Sequence, residues 1–176
     1  MRLMVIDGNS ILNRAFYGIK LLSTKDGTYT NAVYGFINIL NRLIETEKPD
    51  GVAVAFDLKA PNFRKKRFSY YKEGRHETPP ELLAQFADAK ECLRLLGFHT
   101  LEMEGYEADD VIGTLSQRGV EAGYEVYMVT PDKDYGQLVS DTTFIYRPKY
   151  GDKEFEVMNP ERVKEKFGVE RTSQII

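Results

Sequence analysis

The chain has 176 residues, 42% of them hydrophobic and 12% aromatic, which suits one domain with a substantial buried core. Its formal net charge of −3 singles out no class of partner, and its one cysteine, Cys92, excludes an internal disulfide and suits a reducing, cytoplasmic compartment. The N-terminus has no signal-peptide pattern, and no apolar run approaches the ~18 residues of a membrane span.

In chain order, Leu3 to Ile6 reads as a short buried strand closed by the turn Asp7-Gly8-Asn9-Ser10. Ile11 to Tyr17 is expected to be helical, and Ser23 to Thr30 is a polar loop. Val33, Phe36, Ile37, Leu40, Leu43 and Ile44 keep helical spacing until Pro49. Gly51 to Phe56 is a second buried strand, stopped by Asp57. Glu81 to Leu96 forms the next helix, ended by Gly97. Phe98 to Leu101 is a short strand. Glu107 opens a further helix, with Ala108, Val111, Ile112 and Leu115 as its stripe, that runs to about Ala122. Tyr124 to Thr130 is a strand ending in Pro131-Asp132-Lys133-Asp134, and Tyr135 to Val139 is a short helix. Thr142 to Tyr146 reads as the last strand, and Lys149 to Phe155 as a hairpin or polar loop. Asn159-Pro160-Glu161 starts a final helix, with Asn159 as N-cap and Pro160 at the first helical position. Strands alternating with helices across residues 1–176 give one α/β domain, doubly wound about a mainly parallel sheet. No glycine-rich phosphate fingerprint is present.

Residues 59–80 break this rhythm. From Lys59 to Arg75 there are seven basic residues and one acid, interleaved with Phe63, Phe68, Tyr70 and Tyr71. The segment is too long for an ordinary connection. A charge run is usually a solvated loop, but four large aromatics fit base stacking, with cations tracking phosphates along a single strand.

Seven acids stand at comparable places. Asp7, Asp57, Asp132 and Asp134 follow strands, and Glu107, Asp109 and Asp110 open a helix. Each alone is as readily a turn or capping residue. Together, at three strand ends and one helix start, they are expected to converge, because ligands of an open parallel sheet bind beyond the strands' C-terminal ends. Two unit charges ~4 Å apart repel by roughly 4 kcal/mol at an effective dielectric of 20, so such a cluster calls for cations. An all-oxygen set favours Mg²⁺ or Mn²⁺ over zinc. At 3.6 residues per turn, Glu107 and Asp110 lie about 60° apart and Asp109 points elsewhere. Glu107 and Asp110 are therefore expected to be direct ligands, and Asp109 to act through water or on a second ion.

The motifs Val5-Ile6-Asp7-Gly8-Asn9-Ser10, Ala55-Phe56-Asp57, Phe63-Arg64, Tyr71-Lys72-Glu73-Gly74-Arg75, Gly105-Tyr106-Glu107-Ala108-Asp109-Asp110 and Thr130-Pro131-Asp132-Lys133-Asp134 resemble the 5′-nuclease family, and above all its bacterial members joined to a DNA polymerase. The resemblance covers essentially the whole chain. It implies a PIN-like fold and cleavage of 5′ ends and 5′ flaps of DNA in replication and repair. It implies that Asp7, Asp57, Glu107, Asp109, Asp110, Asp132 and Asp134 bind metal, two Mg²⁺ (or Mn²⁺) ions in the complete domain. It places Lys72 and Arg75 near the scissile phosphate, Tyr71 stacked on substrate, and Arg14, Phe63, Arg64, Lys65 and Lys66 on DNA. Residues 62–80 match an arch around the 5′ single strand. The family also implies a monomer of the bacterial cytoplasm, without membrane contact, with a polymerase domain in the full-length chain. Further metal-binding aspartates would lie in a helix–hairpin–helix region beyond Ile176. Two other readings stay open: a phosphoaspartyl protein with Asp57 as nucleophile, and a module that binds branched DNA without cutting it.

Overall fold

The computed structural model describes residues 1–58, 60, 62–68, 70, 71, 74, 77–148 and 155–175. Its sheet has six strands: β1 (Arg2–Asp7), β2 (Gly51–Ala55), β3 (His99–Leu101), β4 (Glu125–Val129), β5 (Thr143–Pro148) and β6 (Phe155–Met158). Their spatial order is β3-β2-β1-β4-β5-β6. The first five run parallel, with Asp7 opposite Ala55 and Ile6 opposite Val129.

β6 was not anticipated as a strand. The last strand expected from the sequence is β5, yet Phe155–Met158 pairs antiparallel with it, Ile145 opposite Met158. The physical reason is its position at the sheet edge. Only Met158 of its four residues is buried, so the segment carries almost no alternation. Residues 149–154, where a hairpin or loop was expected, lie outside the described residues.

The helices are α1 (Gly8–Gly18), α2 (Asn31–Glu47), α3 (Phe63–Arg67), α4 (Pro80–Leu95), α5 (Ala108–Glu121) and α6 (Pro160–Phe167), with a 3₁₀ turn at Asp134–Leu138. Side chains alternate between the two faces of each strand. Met4, Ile6, Val54, Phe56 and Val129 pack with Ile11 and Leu12 of α1, Phe36 and Leu40 of α2, and Leu82 and Leu93 of α4. Val5, Ala55, Val126 and Met128 face the other way, onto Ala108 and Ile112 of α5 and Val163 of α6. Each fully buried Leu or Phe contributes roughly 1.5–3 kcal/mol, so both faces are anchored over their whole length.

The topology decides where a ligand can sit. From β1 the chain builds outward through β2 to β3, then crosses to the far side of β1 and continues through β4 and β5. The switch falls between β1 and β4, and an open parallel sheet places its ligands beyond the strands' C-terminal ends at such a point. Gly8 keeps that end closed on one side. A Cβ at this position would meet the Phe56 ring at 2.5 Å and the Ala55 carbonyl oxygen at 2.8 Å, so α1 can start against the end of β2 only with glycine there.

Candidate functional site

The alternation that buries Val5 and Ala55 on the α5 face carries Asp7, and then Asp57 past the end of β2, to the same side of the sheet. Asp7 is 3% exposed and caps α1. Its Oδ1 accepts the Ser10 N–H at 3.0 Å and its Oδ2 accepts the Thr130 hydroxyl at 3.0 Å. Burial pushes the Asp7 carboxyl above the usual carboxylate range; the Ser10 and Thr130 donors pull the other way, and the Asp109 charge adds to the rise.

Asp57 is tied on both oxygens. The Asn9 Nδ2 donates to Oδ2 at 3.1 Å, and the Ala108 N–H at the start of α5 donates to Oδ1 at 2.7 Å. Asn9 Oδ1 accepts the Asp57 N–H at 3.0 Å in return. A β2 carboxylate thus receives an orphan amide of the α5 N-terminus, where the helix dipole favours negative charge.

Glu107 is the N-cap of α5 and is buried. Its N–H donates to Asp110 Oδ2 at 3.0 Å. Its own carboxylate accepts Asn62 Nδ2 at 2.8 Å on Oε1 and the Tyr71 hydroxyl at 2.9 Å on Oε2. Arg64 of α3 forks onto Asp110, with Nη1 to Oδ2 at 2.6 Å and Nη2 to Oδ1 at 2.7 Å, and its Nη1 lies 3.4 Å from Glu107 Oε2. The Asp110 hydrogen bonds hold the Arg64 charge more firmly than usual. Asp109 goes elsewhere: the Tyr135 hydroxyl donates to its Oδ1 at 2.7 Å. Burial first, then the charges of Asp7 and Asp109, drive the Tyr135 phenol far above its usual range, so it stays a proton donor.

Asp132 lies just past β4, its N–H donating to the Thr130 hydroxyl at 3.1 Å and its Oδ1 accepting the Asp134 N–H at 2.9 Å. Asp134 itself is exposed, and it is its backbone that joins this turn. The structure therefore gathers Asp7, Asp57, Glu107, Asp109, Asp110 and Asp132 around one end of the sheet, with Asp134 at the rim. Asn9, Asn62, Thr130 and Tyr135 hold these acids and were not singled out from the sequence. Asn9 lies inside a motif that was noted. Thr130 likewise opens a noted motif, and Tyr135 carries no signal beyond flanking the aspartate run.

The donor set is all oxygen, the chemistry of a hard divalent ion. Its arrangement does not close around one: among the described residues, no three carboxylate, histidine or cysteine side chains are grouped as a ligand set. Donors from residues 62–71 occupy Glu107 and Asp110 instead. Of the nucleic-acid candidates, Lys65 and Lys66 are exposed on α3, Phe63 and Tyr106 rings lie 5.7 Å apart, and Arg14 is half-buried on α1. Lys72 and Arg75 lie outside the described residues. No helix among the described residues is long and apolar enough to cross a membrane.

Comparison with known proteins gives a consistent picture. Residues 2–168 match the family model of the 5′-3′ exonuclease N-terminal resolvase-like domain. DNA polymerase I of Bacillus subtilis is 44% identical over 168 residues, covering 96% of this chain and 19% of that protein. The 5′-3′ exonuclease of Aquifex aeolicus is 42% identical, covering 96% of this chain and 57% of that protein. The chain thus spans about a fifth of the length of the first relative and little more than half of the second. Among solved structures, the T5 D15 flap endonuclease in a complex with DNA and metal ions superposes with a TM-score of 0.72 at 18% identity, covering 99% of this chain and 64% of that one. That likeness establishes the fold: a mostly parallel, doubly wound sheet of the PIN-like 5′-nuclease type.

Proposed function

The chain belongs to the 5′-3′ exonuclease N-terminal resolvase-like domain family, and from that premise we propose that it hydrolyses phosphodiesters at 5′ ends and 5′ flaps of DNA, with divalent ions, in replication and repair. The observation that carries the reading is the acidic cluster at the β1–β4 switch point with a basic, aromatic segment fastened against it. Acids for cations and cations for phosphates are the two requirements of a metal-assisted nuclease. Asp7, Asp57, Glu107, Asp109, Asp110, Asp132 and Asp134 are the proposed holders of Mg²⁺ or Mn²⁺, two ions in the complete domain. Bound there, such ions supply an activated water and charge stabilisation at the phosphate.

The remaining chemistry belongs to the chain. Asn9, Ser10 and Thr130 hold the carboxylates of Asp57 and Asp7 in fixed orientation. Arg14, Arg64, Lys65 and Lys66 contribute positive charge toward a backbone. Phe63 and Tyr71 offer ring faces for bases. Lys72 and Arg75 are proposed to contact the scissile phosphate. The whole protein is proposed to carry a polymerase domain, as the Bacillus subtilis relative's name indicates, and to act as a monomer in the bacterial cytoplasm. Both oxygens of Asp57 accept hydrogen bonds, which gives no support to its acting as a phosphoryl acceptor.

The test is cleavage of a 5′-flap DNA labelled at its 5′ end, with Mg²⁺ and with chelator, for the wild type and Asp57→Asn. Metal-dependent release of the flap, lost in the variant, is expected. Tight flap binding without any cleavage would replace this reading by a non-cleaving DNA-binding module.

A further inference from the structure

The segment that should receive DNA is fastened to the acids that should receive metal. Among the described residues, Asn62, Arg64 and Tyr71 make the attachment. Asn62 donates to Glu107 Oε1 at 2.8 Å while its own Oδ1 caps α3 through the Lys65 N–H at 2.8 Å. Arg64 takes both oxygens of Asp110 and approaches Glu107. Tyr71 donates to Glu107 Oε2 at 2.9 Å. Two further contacts seat the helix: the Phe63 N–H on the Gly105 carbonyl at 2.9 Å, and the Phe63 ring 5.7 Å from the Tyr106 ring. Every oxygen of Glu107 and Asp110 therefore carries a donor from residues 62–71. The Arg64 side chain is only 29% exposed and brings a positive charge onto that pair.

We propose that Arg64 is a stand-in cation and that α3 is its latch: divalent-ion binding at Glu107 and Asp110 and seating of Asn62, Arg64 and Tyr71 on them exclude one another. A guanidinium forked onto these oxygens and a divalent ion on the same oxygens compete, because the two positive centres repel where the acids are partly shielded from water. Metal binding then expels Arg64, unseats α3 and leaves the guanidinium available to a phosphate. By linkage, whatever holds α3 away must tighten metal binding by the same factor. The single guanidinium offsets part of the charge of the two carboxylates. This inference rests on the metal-dependent reading above and adds to it which residues move, and why.

The test is Mn²⁺ titration by calorimetry of the wild type, Arg64→Ala and Arg64→Lys, with circular dichroism to establish folding. Each protein is also digested briefly with a lysine-specific protease, with Mn²⁺ and with chelator, following cleavage at Lys65 and Lys66. Arg64→Ala is expected to bind Mn²⁺ roughly tenfold more tightly, within the range usual for coupled sites. Arg64→Lys should fall between it and the wild type, since lysine keeps the charge and loses the fork. Mn²⁺ should accelerate cleavage at Lys65 and Lys66 in the wild type, and Arg64→Ala should be cut quickly with or without it. Equal or weaker Mn²⁺ binding by Arg64→Ala, or wild-type cleavage indifferent to Mn²⁺, overturns the latch and leaves the metal-dependent reading standing. No Mn²⁺ binding by any of the three proteins overturns both.

Discussion

Asp7 and Asp57 stand where strands end; Glu107 and Asp110 stand where a helix begins, and the two pairs are restrained by different kinds of group. The strand-end pair is held by groups of the sheet and its flanking turns: the Ser10 and Ala108 amides, the Asn9 side chain and the Thr130 hydroxyl. All of these sit on elements packed into the two cores. The helix-start pair is held from outside by Asn62, Arg64 and Tyr71, on a segment whose five-residue α3 buries none of its residues. One half of the cleft is therefore held by the sheet and its turns, and the other by side chains of residues 62–71.

This contrast can be broken or sharpened by substitution. The largest effect is expected from Asp57→Ala, which removes a strand-end carboxylate and the acceptor of the first α5 amide. Mn²⁺ affinity should fall by more than about a hundredfold, beyond the effects usual for outer partners of metal ligands. Calorimetry showing a smaller loss there than for Glu107→Ala would reverse the ranking of the two halves. Next comes Asn9→Ala, which leaves Asp57 in place and removes its orienting amide. A loss of about 10–100-fold in Mn²⁺ affinity with a native circular dichroism spectrum is the expected signature of positioning.

Tyr135→Phe should cost about 1 kcal/mol in urea unfolding, because Asp109 loses one donor while the ring still packs. A stabilised variant would show that the buried phenol is a burden on the fold. Asp7→Asn is smaller and changes with pH. Burial raises the Asp7 pKa in the native chain, so between the unfolded and folded values the native state holds the extra proton, and stability falls as pH rises through that window. In chelator, Asp7→Asn should therefore melt above the wild type at pH 7, with the gap closing as the pH falls toward about 4. Scanning calorimetry across that range decides it. The smallest effect is expected at Asp134→Asn, which alters an exposed rim carboxylate and should leave the melting temperature unchanged.

Much of this was legible from residue order alone. The aspartates after β1, β2 and β4 are readable because an apolar run of strand length stopped by an acid and a turn has few other meanings. The separation of Asp109 from Glu107 and Asp110 follows from helical angles, and the structure sends Asp109 to Tyr135 and the other two to Arg64. What was not legible is what holds the acids. Asn9, Asn62, Thr130 and Tyr135 act across 48, 45, 123 and 26 positions of sequence, distances at which periodicity carries no information. Arg64 was assigned to DNA from its basic neighbours; its fork onto Asp110 depends on where α3 docks, which nothing local dictates. β6 was missed because an edge strand with one buried residue shows no alternation.

The central position of β1 has a consequence for how the protein is made. Residues 2–7 are synthesised before either of their neighbours in the sheet, which begin at Gly51 and Glu125. The Asp7–Thr130 hydrogen bond joins groups 123 positions apart. At ~5–20 residues per second, Asp7 waits roughly 6–25 seconds before that partner is synthesised. Until then the earliest acid of the cluster lacks the hydroxyl that holds one of its two oxygens. The interleaved strand order thus delays assembly of the acidic cluster until β4 has been translated.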